Sequence, residues 1–322
     1  MQPSGRDVLN RVDLVDRAAV AFGLVAAPML RLIAKRREAL VRFQRFADRN
    51  GFQLRSNHYY EPTYSEDALP ADTTRERHLP GIDLNAEGQL ALLRHFRFGD
   101  ELRRFPAGKT EPGVFGWSNP NYQYGDGEIY YSMIRHQKPA RIVEIGSGNS
   151  TLLAVAAIAA NRADDPGYAC ELVCVEPYEM PWLSKQPLTL VRERVEHVDR
   201  GVFSALGQND ILFIDSSHII RPYGDVLCEF SEIVPSLAPG VWVHVHDIFT
   251  PRDYPERWLR AHRRLWNEQY LLEAYLAHNS RTEVMCAVNW LKHNHFDALA
   301  AACPLLGEHP GHEPGAFWFR MR

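Results

Sequence analysis

Acids, histidines and hydroxyls follow directly after two apolar runs of this chain. Ile211-Leu212-Phe213-Ile214 leads into Asp215-Ser216-Ser217-His218, and Val241-Trp242-Val243-His244-Val245 leads into His246-Asp247. If these runs are neighbouring parallel strands, then Asp215, Ser217, His218, His246 and Asp247 converge on one crevice beyond their carboxyl ends. Two chemistries suit that set. In one, His218 or His246 takes a proton near neutral pH while Asp247 or Asp215 orients it. In the other, Asp215 and Asp247, with His246, hold a hard divalent cation such as Mg²⁺, for which histidine is an unusual partner. His244 alternates with His246 across Val245 and is expected on the opposite face of the strand, leaving His246 to reach the crevice.

A second set lies earlier, in Arg141-Ile142-Val143-Glu144-Ile145-Gly146-Ser147-Gly148-Asn149-Ser150-Thr151. Its β-branched run reads as a buried parallel strand. Gly146 and Gly148 then give a tight turn that a ligand can approach closely. Asn149, Ser150 or Thr151 caps the helix that follows, and the helix amides point at whatever lies over the turn. Glu176-Pro177 ends the next run, Leu172 to Val175. A carboxylate there accepts both hydroxyls of a ribose. Glu144, two residues before the first glycine, either accepts a hydrogen bond from a cationic amino group or orients the turn. The occupant these residues call for is a small adenosine-bearing cofactor, contacted by Glu144, Gly146, Ser147, Gly148, Ser150, Glu176, Pro177, Asp215 and Ser216. An NAD fingerprint G-x-G-x-x-G would require glycine at position 151, where the chain has threonine.

The elements that must position these groups alternate. Strands are expected at 141–145, 171–175, about 194–198, 211–215, 241–246, 282–288 and 315–321. Helices are expected near 150–162, 180–187, 222–235, 255–277 and 291–302. Such alternation of short apolar runs with helices predicts an α/β fold. Helix 150–162 is apolar nearly all round, and its alanines allow close approach to a sheet.

These residues carry a resemblance. Glu144-x-Gly146-x-Gly148 with Glu176 resembles the first two motifs of class I S-adenosylmethionine-dependent methyltransferases. Four stretches, VEIGSGNST at 143–151, ILFIDSSH at 211–218, VHVHDIFTPRDYP at 243–255 and WNEQYLL at 266–272, resemble a bacterial methyltransferase-domain family from about residue 80 to the C-terminus. Ser150 replaces the third glycine of the broader motif. The resemblance implies a Rossmann-like, doubly wound, seven-stranded sheet with its last strand antiparallel. It also implies S-adenosylmethionine as cofactor and methyl transfer as the reaction type, while the acceptor is left open; the leading expectation is the oxygen of a small metabolite or sugar-type acceptor. Metal-dependent relatives place ligands after the same two strands, which keeps Mg²⁺ beside the histidine-base scheme. The other function classes are an NAD(P)-dependent oxidoreductase on a similar sheet and a noncatalytic methyltransferase-like binding module. Asn267 and Glu268, in the fourth stretch, either face the acceptor or form a polar helix face, and the second is the preferred reading.

Composition bounds the rest. The chain has 322 residues, 45% hydrophobic and 24% charged, with a net charge of −4. This is ordinary for a globular protein and speaks against general nucleic-acid binding. The cysteines, Cys170, Cys174, Cys228, Cys286 and Cys303, lack a paired zinc spacing and read as reduced core thiols. Three regions are expected: an N-terminal helical extension at 1–60, a lid over the substrate at 61–125, and the cofactor-binding domain at 126–322. In the extension, Ala18 to Leu30 is an apolar run of 13 residues, too short to span a bilayer. Asp13 and Asp16 stand where a signal peptide would carry positive charge. A basic stretch, Arg31 to Ala47, follows, with Leu32, Ala39, Phe43 and Phe46 on one helix face. Packing of residues 18–47 on the catalytic domain or on a second copy is the preferred reading, and peripheral contact with the inner membrane surface is the alternative. The expected location is the cytoplasm. Aromatic and amide-rich segments at 57–62 and 117–124 are expected to face the substrate.

Overall fold

The computed structural model describes residues 5–58, 60–178 and 180–322. Tyr59, in the first aromatic segment, lies outside them. The chain forms two compact units, Met1–Ala71 and Asp72–Arg322. The second boundary expected, at 125/126, is not a boundary. Leu92, Leu93, Phe96, Leu102, Phe115 and Trp117 are buried in the same core as Ile142 and Phe213, so residues 72–125 fold as one with the sheet.

The first unit is dominated by a 31-residue helix, Gly5–Lys35, with Pro28 inside it. The 13-residue apolar run is only the centre of a 23-residue stretch, Asp13–Lys35, with a mean hydropathy of 1.6. By length and composition that stretch can cross a membrane, which corrects the expectation drawn from the run alone. Nor is 31–47 a single amphipathic helix. The chain breaks after Lys35, makes one tight turn at Arg37–Ala39, and restarts as Val41–Arg49. Phe43, Phe46 and Phe52 then pack their rings together at 6.2–6.3 Å, and Arg37 pairs with Glu61.

The second unit is built on a seven-stranded sheet. Its strands are β1 (Arg141–Ile145), β2 (Glu171–Val175), β3 (Thr189–Val191), β4 (Ile211–Ile214), β5 (Trp242–Val245), β6 (Thr282–Ala287) and β7 (Phe317–Met321), in the order β3-β2-β1-β4-β5-β7-β6. β1 to β5 are mutually parallel, and β7 runs antiparallel to both β5 and β6. The parallel strands are covered on both faces, as their continuous apolar sequences require. One face buries Ile142, Leu172, Ile211, Phe213 and Trp242 beneath Tyr130, Met133, Leu153 and Ala157 of helices Asp126–Gln137 and Asn149–Asp164. The other buries Val143, Val173, Leu212, Ile214, Val243 and Val245 against Val226, Ile233 and Leu272.

Several elements differ from expectation. The third strand is Thr189–Val191, and 195–197 forms a single helical turn that buries Val195. The helix expected at 180–187 is one turn, Leu183–Lys185. The helix expected at 255–277 is broken into Arg257–Ala261 and Glu268–Leu276. The amides of Asn267 and Glu268, at the start of the second piece, donate to the His218 carbonyl (3.0 and 3.2 Å). His244 and His246 lie on the same face of β5, not on opposite faces. Residues two apart in a strand share a side, and the two rings are 5.7 Å apart. All five cysteines are buried and unpaired.

Candidate active site

β1 and β4 are neighbours, yet the chain leaves them for opposite edges of the sheet, and ligands of open α/β sheets bind at such a switch point. The ladder continues one residue beyond each strand. Asp215 N donates to Ile145 O (2.9 Å), His246 N to Ile214 O (2.9 Å) and Gly146 N to Val175 O (3.0 Å). This presses Gly146 against Asp215. A Cβ on Gly146 would lie 1.8 Å from the Asp215 carbonyl oxygen, and its φ of +81° is itself glycine-like. The glycine is therefore required by the protein before any ligand is considered. Gly148 differs: its φ of −174° is ordinary extended backbone, and a Cβ would meet no protein atom within 4 Å. The protein itself does not require glycine there, and the position lines the crevice.

The crevice above the bend has two lobes. One, of about 210 Å³, is lined by Pro177, Tyr178, Arg194, Val195, Glu196 and Ser216 among others. The second, of about 500 Å³, runs under the 109–122 loop past Ser147, Gly148, Ser150, Tyr122 and Trp182. Gly146, Glu176 and Asp215 line both lobes and so mark the waist between them. Glu176 is fixed there by backbone: Oε2 accepts from Ser147 N (3.1 Å) and Oε1 from Tyr178 N (2.8 Å). Each oxygen keeps a further lone pair for a ligand.

Glu144 lines neither lobe. It is fully buried and accepts hydrogen bonds from Tyr130 Oη (2.9 Å) and Thr151 Oγ1 (2.6 Å). Thr151 Oγ1 in turn accepts from Gly148 N (3.0 Å), so Glu144 ties the start of helix Asn149–Asp164 to β1. Of the two roles open to it, orienting the turn is the one its contacts serve. Burial pushes its carboxyl up to about 7 against the pull of those hydrogen bonds.

Asp215, His218, His246 and Asp247 do come together. His218 Nδ1 sits 2.8 Å from Glu268 Oε2, and its Nε2 lies 3.3 Å from Asp215 Oδ1 and 3.5 Å from Asp247 Oδ2. His246 Nε2 is 3.6 Å from Asp247 Oδ1. Both His218 (φ 60°) and Asp247 (φ 57°) are in the left-handed region. That backbone costs a residue with a side chain free energy and tends to occur where function aims a group. Burial opposes charge on His218, but its bonds to Asp215 and Glu268 and the nearby Asp247 outweigh this and hold it well above the usual imidazole value. For Asp215, burial acts upward and the two histidines downward, and the histidines win. His246 is also raised, because Asp247, Asp215 and Asp126 offset its burial. His244 lies deeper, stacked on Phe213 at 4.2 Å, and burial pushes it well below its usual value into the neutral form.

One ligand atom each from Asp215, His218 and Asp247 falls within 4.8 Å of the others, a set that can hold a metal ion. The histidine in it is His218, not the His246 of the sequence-derived set. His246 sits under Tyr122, ring centroids 5.0 Å apart. Ser217 is engaged elsewhere, its hydroxyl and amide both donating to Asp225 (2.7 and 3.0 Å).

Three site residues were not read from the sequence as such. Glu268 is fully buried under His218 instead of facing solvent. The signal was present: apolar Leu272 stands one turn on, which puts position 268 on the same, inward side of the helix. Asp126 Oδ1 accepts from Gly315 N (2.9 Å) and Ala316 N (2.7 Å), anchoring the approach to β7 beside the histidines. A bond spanning 189 residues leaves no local pattern. Glu229, also fully buried, accepts from Ser216 Oγ (3.0 Å). Tyr122, already placed in a substrate-facing segment, is almost wholly buried and lines the larger lobe, and its hydroxyl has no hydrogen-bond partner among the described residues. Asn119 grips its backbone on both sides, accepting from Tyr122 N (2.7 Å) and donating to Tyr122 O (2.8 Å).

Residues 143–248 match the family described as a methyltransferase domain. An uncharacterized protein of Archaeoglobus fulgidus is 31% identical over 138 residues, which is 41% of this chain, and the chain spans 61% of that relative's length. Among solved structures, the Mg–SAM structure of cmcI aligns with 69% of this chain and 84% of its own at 15% identity and a TM-score of 0.37. The O-methyltransferase TomG from Streptomyces achromogenes, in complex with SAM, aligns with 72% of this chain and 88% of its own at 14% identity and a TM-score of 0.35. The matched residues 143–248 are similar to that family's methyltransferase domain and run from β1 to just past β5, the part of the sheet that carries the bend, Asp215, His246 and Asp247.

Proposed function

We propose that the protein is an S-adenosylmethionine-dependent methyltransferase acting on a hydroxyl of a small-molecule acceptor. The observation that carries this reading is the two-lobed crevice with a waist of Gly146, Glu176 and Asp215. The cofactor has two ends of different chemistry, a nucleoside and an amino acid, and a carboxylate at the waist suits the ribose between them. The smaller lobe, with Val195, Pro177 and Ser216, suits a purine. The larger lobe has room for the amino-acid end and the acceptor together.

When bound, the cofactor supplies a methyl group already activated on a sulfonium. Gly146, Glu176 and Asp215 would hold it at the waist, and an acceptor hydroxyl receiving that methyl would have to give up its proton. The protein's share is alignment and the removal of that proton. His218 is the group placed to take it at Nε2, with Nδ1 held by Glu268. Asp215 and Asp247 stabilise the imidazolium that results. Tyr122 keeps its proton, because burial and neighbouring acids hold its phenol well above the usual value, and it offers a donor to an oxygen in the larger lobe.

The clustering of Asp215, His218 and Asp247 favours a second reading. Two carboxylates and an imidazole fit a divalent cation, and the imidazole suits a transition ion better than Mg²⁺. Such an ion would lower the pKa of the acceptor hydroxyl.

The two readings separate by experiment. If His218 is the base, turnover is unaffected by EDTA and rises with pH through a value above 6.5, since the raised imidazole must first lose its proton. If the cation is required, EDTA abolishes turnover and added metal restores it. No methyl transfer to a broad panel of hydroxyl acceptors under either condition would contradict the proposal.

A further inference from the structure

We propose that helix Gly5–Lys35 inserts into a lipid bilayer, with the basic segment after it lying in an anionic headgroup layer. Between Ala18 and Leu30 there is no polar side chain. The apolar groups point to more than one side. Val20 and Leu24, one turn apart, are 58% and 77% exposed, while Phe22, Val25 and Met29, on a different face, are 69%, 84% and 61% exposed. Only 6% of the apolar window is buried. A helix apolar all round belongs in a protein core or in lipid, and this degree of exposure excludes the core. A helix lying flat at an interface would need a polar face, which residues 18–30 lack. The 23-residue stretch is about 35 Å long at 1.5 Å per residue, against about 30 Å of hydrocarbon. All of its charges lie within about 6 Å of its ends at 1.5 Å per residue, Asp13, Asp16 and Arg17 at one and Arg31 and Lys35 at the other; Arg17 pairs with Asp13, and Arg31 and Lys35 are long enough to carry their charges toward the headgroups.

Charge decides between lipid and a second copy. Arg31, Lys35, Arg36, Arg42 and Arg45 are all exposed, and Glu38 is the only acid between residues 31 and 47. Pairing two copies in parallel would bring these cations together, and pairing in either direction would still cover only one of the apolar faces. An anionic bilayer covers every face and neutralises the cations.

Flotation of the full chain with vesicles tests this. With phosphatidylcholine vesicles containing phosphatidylglycerol, the protein is expected to float and to stay bound in 1 M salt, because apolar insertion is not screened. Leu24→Asp with Val25→Asp is expected to abolish flotation with the thermal unfolding of the remainder unchanged. Arg42→Gln with Arg45→Gln is expected to weaken binding to the anionic vesicles roughly thirtyfold. Three results would overturn the proposal: protein left in the dense fraction, flotation unchanged by the aspartates, or a dimer in lipid-free solution that the aspartates dissociate.

Discussion

The two sides of the crevice are held in different ways. On the side of β1 and β2, the key groups are fixed by backbone: Gly146 by the Asp215 carbonyl it abuts, and Glu176 by the amides of Ser147 and Tyr178. On the side of β4 and β5, side chains hold one another, with His218 suspended among Asp215, Asp247 and Glu268. A backbone-built seat is a fixed shape, suited to one constant ligand. A cluster of mutually charged side chains can change its proton content and is suited to reaction. Substitutions on the first side should therefore remove binding, and those on the second should remove turnover while binding persists.

The largest effect is expected at the bend. Gly146→Val forces a side chain into the Asp215 carbonyl at a positive φ, so stability should fall by about 3 kcal/mol. Chemical denaturation should show this loss even without ligand. A variant of wild-type stability that merely fails to bind would mean that the glycine serves the ligand alone. Next comes a contrasted pair. Glu176→Ala should weaken S-adenosylhomocysteine binding by about 1.5–3 kcal/mol in calorimetry, the range for hydrogen bonds to a charged group. Asp247→Asn, which tolerates the left-handed backbone, should leave that affinity intact and lower kcat roughly a hundredfold. Equal losses of affinity in both variants would erase the distinction between the two sides.

The smallest effect concerns pH. Glu144 and Asp126 are each held at about 7 in the fold, largely by burial, and above their ordinary carboxylate values. Their folded state binds protons more tightly than the unfolded chain, so the stability they contribute is fully present below about pH 4 and is lost as pH rises through about 7. Glu144→Gln should flatten that decline in a series of thermal melts. An unchanged slope would mean that Glu144 is ionised within the fold.

What could be read from the sequence divides along the same line. The bend, Glu176 and the parallel strands were legible because each rests on a local requirement: β-branched runs, a glycine at a turn, an acid at a strand end. The acid–histidine cluster was legible only in part. Asp215, His218, His246 and Asp247 follow directly on strands, but their partners arrive from far along the chain, Glu268 fifty residues after His218 and Asp126 from the helix ahead of β1. His244 and His246 share a face of β5, as the period-two rule alone requires. The third strand was placed too late because Val195 and Val198 are as buried as a strand would make them, while β3 itself is a three-residue edge strand. The helix at 255–277 breaks because its second half is drawn back by hydrogen bonds to the His218 carbonyl, a tertiary cause that local propensity does not carry.

The central claim is that an adenosine-bearing cofactor lies across the β1–β4 bend with its ribose on Glu176. The most direct test is a crystal structure of the protein soaked with S-adenosylhomocysteine. The expected density has the purine between Pro177 and Val195, the ribose hydroxyls on Glu176 and the sulfur facing Asp215. Density for the ligand in any other cleft, with the bend clear, would contradict it.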